Sequence, residues 1–249
     1  MKDAPRELRR LGCQLRRLAG DWLTGRNRRM VAPSERLLLE GAAYPVRLSI
    51  EQRVLATDYV QAKLHNIETA RRRLENLPVP PDGIFSFWSV VGRPTAARGF
   101  LPGRSLLGGQ LMPDYGGGLC QLSGLIYYLC VQAGLEILER HPHSRDIYED
   151  AERYTPLGTD ATVAYGFKDL RVLNTLHAPV CFRVSTGTET ITGCLCSPAA
   201  IELAAVEFVR TGEADGLCTV ETRRRLPGER EFRGLAVSKY RRIAPSNQS

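Results

Sequence analysis

Three consecutive glycines, Gly116 to Gly118, lead directly into Leu119-Cys120-Gln121-Leu122-Ser123 and an apolar stretch that continues through Val131. A helix that is apolar on every side has no face to offer water and is stable only inside a domain. Gly134 suits the C-cap that would close it. This segment demands enough surrounding chain to enclose it, and 249 residues are sufficient without staples. A content of 43% hydrophobic and 24% charged residues, with 23 Gly and 15 Pro, excludes collagenous, disordered and coiled-coil classes.

Around the buried helix the pattern mixes helix and strand. Val60, Leu64, Ile67 and Leu74 mark one apolar face of a helix over about 57–76, with Arg71-Arg72-Arg73 as a solvated run at its end. Turn residues between Pro78 and Gly83 precede Ile84-Phe85-Ser86-Phe87-Trp88, which has strand composition. Gly108-Gly109 predicts a tight hairpin. Leu135–Leu138 and Asp160–Tyr165 alternate like strands, and Cys181–Val184, Thr190–Cys196, Leu217–Arg223 and Glu231–Tyr240 read as further short strands. Residues 199–209 fit helix or strand. The expected class is α+β, with the helix carrying Cys120 packed on a mostly antiparallel sheet.

The charge is concentrated at one end. Residues 1–36 hold 10 Lys+Arg against 4 Asp+Glu, whereas the rest of the chain is nearly balanced. Leu8, Leu11, Leu15, Leu18 and Trp22 recur at helical spacing there, with Arg9, Arg10, Arg16 and Arg17 off that line. A basic amphipathic helix of this kind, over residues 5–23, suits an anionic membrane surface, or packs on its own domain. Nucleic acid is the less favoured partner, since aromatic interleaving is sparse and no nucleic-acid-binding motif is present. The expected organisation is a basic segment over 1–36 and a domain over 37–249. No apolar run approaches the length of a membrane span, and no secretory signal core is found. Seven cysteines, an odd number, suit free thiols in a reducing compartment. The expected location is cytoplasmic, peripheral on the inner membrane face where the basic helix engages lipid.

Cys120 stands at the first turn of the buried helix, where unpaired N–H groups and the helix dipole favour a thiolate. Gly116, Gly117 and Gly118 let the backbone turn amides toward an oxyanion, and the side chains of Gln121 and Ser123 are further candidates for that hole or for a ligand. A nucleophile also needs a base and a group that orients it. His143 fills the first role, with His141 as substitute, and Asp160 the second. The order of Cys on a helix, then His, then Asp resembles that of papain-like and transglutaminase-like enzymes. The rival reading is a non-catalytic module in which the glycine turn and helix N-terminus hold a carboxylate or phosphate, with Cys120 a small core residue. A purely structural role for the segment is the third.

Other groups carry less. Asp146, Glu149, Asp150 and Glu152, beside Tyr148 and Tyr154, read as a solvated loop. Asp169 reads as an ion-pair partner or a residue supporting the site. Cys181, Cys194, Cys196 and Cys218 lack the paired spacings of a zinc site, so no metal is expected. No Gly-Lys-Ser/Thr follows the glycines, which argues against a phosphate loop. No cofactor is called for.

Several spaced motifs point to a family. Phe85-Ser86-Phe87-Trp88, Val91-Gly92, the run at 116–123, Glu139-Arg140-His141-Pro142-His143-Ser144, Asp160-Ala161-Thr162-Val163 and Asp169-Leu170-Arg171-Val172-Leu173-Asn174 together resemble the VanW family over about 37–197. A β-rich extension would follow. The basic segment without an export signal looks like the short form of the family, which is known from the accessory part of B-type vancomycin-resistance clusters. The resemblance implies a connection to the cell envelope and, for a cytosolic chain, a soluble or lipid-linked cell-wall precursor or other peptide-like substrate. It implies no reaction.

Overall fold

The structure, a computed structural model, describes residues 5–33, 42–55, 59–107, 110–146 and 155–242. The basic helical spacing forms α1 (Arg6–Leu23), which starts at Pro5, where a missing N–H costs nothing. Strand β1 (Val46–Arg53) precedes α2 (Val60–Leu74), whose inner face buries Asn66, Ile67, Ala70 and Leu74. Its arginine run is only partly solvated: Arg71 forks between Glu68 and Glu75, so local ion pairs hold the last turn.

Strand β2 (Ile84–Ser86) is shorter than its composition predicts, because Ser86 ends it. The Ser86 side chain accepts a hydrogen bond from the Ser89 amide and caps a short helix, α3 (Phe87–Val91), which takes Phe87 and Trp88 out of the strand. Strands β3 (Pro102–Leu107) and β4 (Gln110–Tyr115) pair antiparallel, while the Gly108-Gly109 turn lies outside the described residues. The apolar run becomes α4 (Leu119–Gln132), followed by β5 (Glu136–Glu139), β6 (Arg145–Asp146) and β7 (Arg171–Leu173). The later stretches form β8 (Cys181–Thr186), β9 (Thr190–Cys196), β10 (Ala205–Ala214), β11 (Leu217–Arg225) and β12 (Arg233–Arg242). The ambiguous 199–209 segment is irregular to Ala204 and strand thereafter.

The class is α+β. Sheets β1-β9-β8, β2-β7-β5 and β3-β4 are antiparallel, as is β10-β11-β12 until β6 joins β12 in parallel. Helix α4 is enclosed: Leu122, Leu125, Ile126, Leu129 and Val131 are all buried, each contributing roughly 1.5–3 kcal/mol of hydrophobic stabilisation. It meets the β1-β9-β8 sheet at Gly193, where a Cβ would lie 2.7 Å from Leu125 Cγ. Only glycine lets helix and strand approach so closely there.

Asp160–Tyr165 is not a strand. Ala161 and Val163 do turn inward and are buried, so the alternation correctly reports which side chains face the core. What is missing is a ladder. Thr162 N–H donates to His141 O at 2.7 Å, and a turn then closes between Ala164 and Lys168. Residues 147–154, which contain the acidic and tyrosine cluster from Tyr148 on, lie outside the described residues, as does the side chain of Asp146.

Candidate functional site

Gly118 caps α4 with φ +97° and packs against Lys63, so Cys120 emerges in the first helical turn. The preceding loop is pinned by Asn66, a buried amide on α2 that donates to Leu101 O and Gly117 O and accepts from Leu101 N–H. Cys120 Sγ donates to Val163 O at 3.6 Å and hydrogen-bonds the His143 imidazole. Burial alone would push this thiol up, yet the bonds to His143 and Val163 outweigh it and lower the pKa below the ordinary value.

His143 lies in the irregular stretch after β5. Its Nδ1 is 2.8 Å from Asp160 Oδ2, and the same oxygen accepts from the His143 backbone N–H. With Nδ1 so engaged, Nε2 is the ring nitrogen left for Cys120. Burial opposes charging the ring, but the bonds to Asp160 and Cys120 prevail and raise it to about 10. The side chain keeps 32% of its surface open, so solvent tempers that shift. A lowered thiol beside a raised imidazole describes a thiolate–imidazolium pair that titrates as a unit.

The other Asp160 oxygen is held from a different quarter. Oδ1 accepts from Tyr240 Oη at 2.5 Å and from Arg140 Nη2 at 2.9 Å. Against burial, the His143 hydrogen bond and the Arg140 charge keep this carboxyl well below the usual range. Arg140 is itself almost enclosed, with 4% of its side chain exposed. It donates to Asp160 O, Gly158 O and Ser238 Oγ and lies 5.0 Å over the Tyr127 ring. Burial and Asp160 push Tyr240 up, so it keeps its proton to donate.

The structure therefore brings Cys120, His143 and Asp160 together. His141 points elsewhere, with Nε2 3.0 Å from Glu139 Oε1. Gly116 N–H donates to Leu101 O at 3.4 Å, and Gln121 Nε2 donates to Arg53 O on β1 at 2.8 Å, so both are turned to structural partners. Ser123 Oγ is buried 2.6 Å from Ala161 O and ties the helix to the segment carrying Asp160. Asp169 belongs to a separate network with Ser86, Arg171, Arg17 and Glu139. Among the thiols, Cys181 and Cys196 face each other across β8 and β9. Sequence reasoning gave no role to Arg140, although it lies in a quoted motif, and missed Asn66, Ser238 and Tyr240. The last two carry no local signal, being 80 and 98 residues from Asp160 and Arg140, the groups that Tyr240 and Ser238 serve.

A family model described as "VanW like protein" matches residues 62–196. The chain is 34% identical over 123 residues to the uncharacterized protein YoaR of Bacillus subtilis, covering 49% of this chain and 39% of that protein. It is 29% identical over 135 residues to the vancomycin B-type resistance protein VanW of Enterococcus faecalis, covering 54% of this chain and 49% of that protein. The chain thus matches half or less of the length of these relatives. No solved structure matches it.

Proposed function

The chain belongs to the VanW family, and from that membership together with the surroundings of Cys120 we propose a thiol-dependent hydrolase or acyl transferase acting on an amide or peptide-like group. One observation carries the reading. A thiol at a helix N-terminus is hydrogen-bonded to an imidazole whose other nitrogen meets a carboxylate fixed on both oxygens. Core cysteines need no such partners: Cys130, about three turns further along α4, is pushed up by burial alone.

In the proposed reaction, the Cys120 thiolate attacks the substrate carbonyl, forming a C–S bond as the carbonyl electrons move onto oxygen. The N-terminal turn of α4, with the Gly117, Gly118 and Cys120 amides, receives the oxyanion. Collapse expels the amine, which takes the proton from His143 Nε2 and leaves a thioester on Cys120. Water, or an acceptor amine, then gives a proton to Nε2 and attacks the thioester. The acid or new amide departs and the thiolate is restored. Asp160 keeps the ring in the tautomer and orientation both half-reactions require. The Enterococcus faecalis relative is named for vancomycin resistance, so amides of cell-wall precursors are the first substrates to try.

Alkylation of the native protein by iodoacetamide, read at each cysteine by peptide mass spectrometry, tests the reading. Cys120 should react with an apparent pKa below the ordinary thiol value, while Cys130 stays unlabelled. His143→Ala should move the Cys120 profile upward and cut its neutral-pH rate roughly tenfold. An inert Cys120, or a profile that ignores His143, overturns the proposal.

A further inference from the structure

Helix α1 is mounted inside out. Its polar face, not its apolar one, packs on the domain. Arg10 lies over the Tyr165 ring at 5.7 Å, Arg17 bonds Glu139 at 2.8 Å and Phe167 O at 3.3 Å, and Asp21, the buried residue of the helix, meets Arg171 at 2.7 Å. These residues follow one another at spacings of seven and four, so one helix face makes all of the contacts. Arg17 and Arg171 are poorly exposed and Asp21 nearly enclosed, so this docking fixes the rotation of the helix about its axis.

The consequence is an outward stripe. Leu8, Leu11, Leu15, Leu18 and Trp22 are 52 to 71% exposed, and Leu23 extends the stripe at 77%. Over the roughly 21 Å from Leu8 to Trp22, a continuous row of large apolar side chains faces away from the protein. Arg6, Arg16 and Arg28 are exposed nearby, within a segment that holds 10 Lys+Arg against 4 Asp+Glu. An apolar row set among cations complements one kind of surface: acyl chains beneath anionic headgroups.

We propose that α1 is an interfacial anchor that lays its Leu8–Trp22 stripe into an anionic lipid surface while its Arg17 and Asp21 face holds the domain. The proposal does not rest on the thiol chemistry. It does have a bearing on it: Arg17 grips Glu139, the residue next to Arg140, so the segment leading to His143 lies about one helix diameter from the lipid.

The test uses the full chain and two vesicle types, phosphatidylcholine alone and phosphatidylcholine with phosphatidylglycerol, at low ionic strength. Sedimentation with the anionic vesicles should exceed that with the neutral ones by roughly tenfold and weaken as salt is added. Trp22 fluorescence should shift to the blue on binding, and Trp22→Phe should remove the shift although Trp88 remains. The triple variant Leu15→Gln, Leu18→Gln, Trp22→Gln alters only exposed side chains, so it should keep the native circular dichroism melt and lose vesicle binding at least roughly tenfold. Native protein left in the supernatant with anionic vesicles, or a triple variant that binds as well as the native chain, overturns the proposal. So does a native dimer that the triple variant converts to monomer, because a second copy would then cover the stripe.

Discussion

Asp160 shows how much one residue carries. Replacing it with Asn removes the charge that holds both His143 and Arg140, and leaves a nearly enclosed guanidinium unpaired, at a cost of about 3 kcal/mol. The His143 ring, followed by NMR titration, should then fall from about 10 toward its ordinary 6.5, and Cys120 should lose thiolate character with it. Tyr240→Phe removes one hydrogen bond to the same carboxylate and should cost about 1 kcal/mol in a denaturation midpoint, with a smaller downward move of the His143 titration. Stability against pH separates the partners. His143, raised, contributes fully below 6.5 and loses that contribution up to about 10. Cys120, lowered, contributes above 9 and loses that contribution as pH falls through its lowered value. Between the lowered Cys120 value and 9 the two slopes oppose each other, and above 9 only the loss from His143 remains. In Cys120→Ser the decline should therefore begin near 6.5, which thermal midpoints measured across pH would show. That Cys120, His143 and Asp160 lie together was legible in the sequence because a thiol after a glycine turn, a histidine and an acid follow one another in order along a short stretch of chain. Their supports were not. Arg140 and Asn66 act through side-chain bonds to distant backbone, which leave no spacing signal.

Helices α2 and α4 fall where apolar periodicity predicts them, because burial of a face or of a whole cylinder fixes their ends to within a few residues. Short strands were less faithful. Ile84–Trp88 has strand composition throughout, but a serine cap ends β2 at Ser86, and caps are read from side-chain bonds rather than from hydropathy. Asp160–Tyr165 has the alternation of a strand without a neighbour to pair with, since alternation reports which side chains turn inward and not what the backbone amides do. The contact of α4 with β9 offers a test at this scale. Gly193→Val should force Leu125 and Leu129 aside and lower stability by about 1–3 kcal/mol, measured by chemical denaturation. At Gly118 the demand is on the backbone: Gly118→Ala places a Cβ 2.6 Å from Lys63 Cγ at φ +97°, and should cost about 1–3 kcal/mol while disturbing Cys120 alkylation.

Across the whole molecule, the α+β class followed from composition and patterning, whereas the partition into separate sheets did not. Which strands pair is decided by contacts far apart in the chain, as when β1 meets β9 or β6 joins β12. The orientation of α1 was equally hidden: its apolar stripe was plain, but nothing local says that Arg17 and Asp21 find Glu139, Asp169 and Arg171 across about 120 to 150 residues. Asp21→Ala should loosen this docking, leaving Arg171 to Asp169 and Glu139, and make the α1 amides exchange hydrogen faster than those of α4 by a wider margin than in the native chain. No helix among the described residues is long and apolar enough to cross a membrane.

The family model stops at residue 196, but the carboxylate beside His143 is clamped by Tyr240, and Arg140 by Ser238, both on β12. A boundary drawn from family likeness would therefore cut through the support of the site. It also sets an order in time. A chain made from its N-terminal end completes Cys120, His143 and Asp160 well before β12 exists, so during synthesis the acid lacks Tyr240 and the arginine that pairs with it lacks Ser238. The carboxylate beside His143 acquires its full set of partners only when β12 docks, so the last of these strands to be made completes the support of a cluster whose members all precede it.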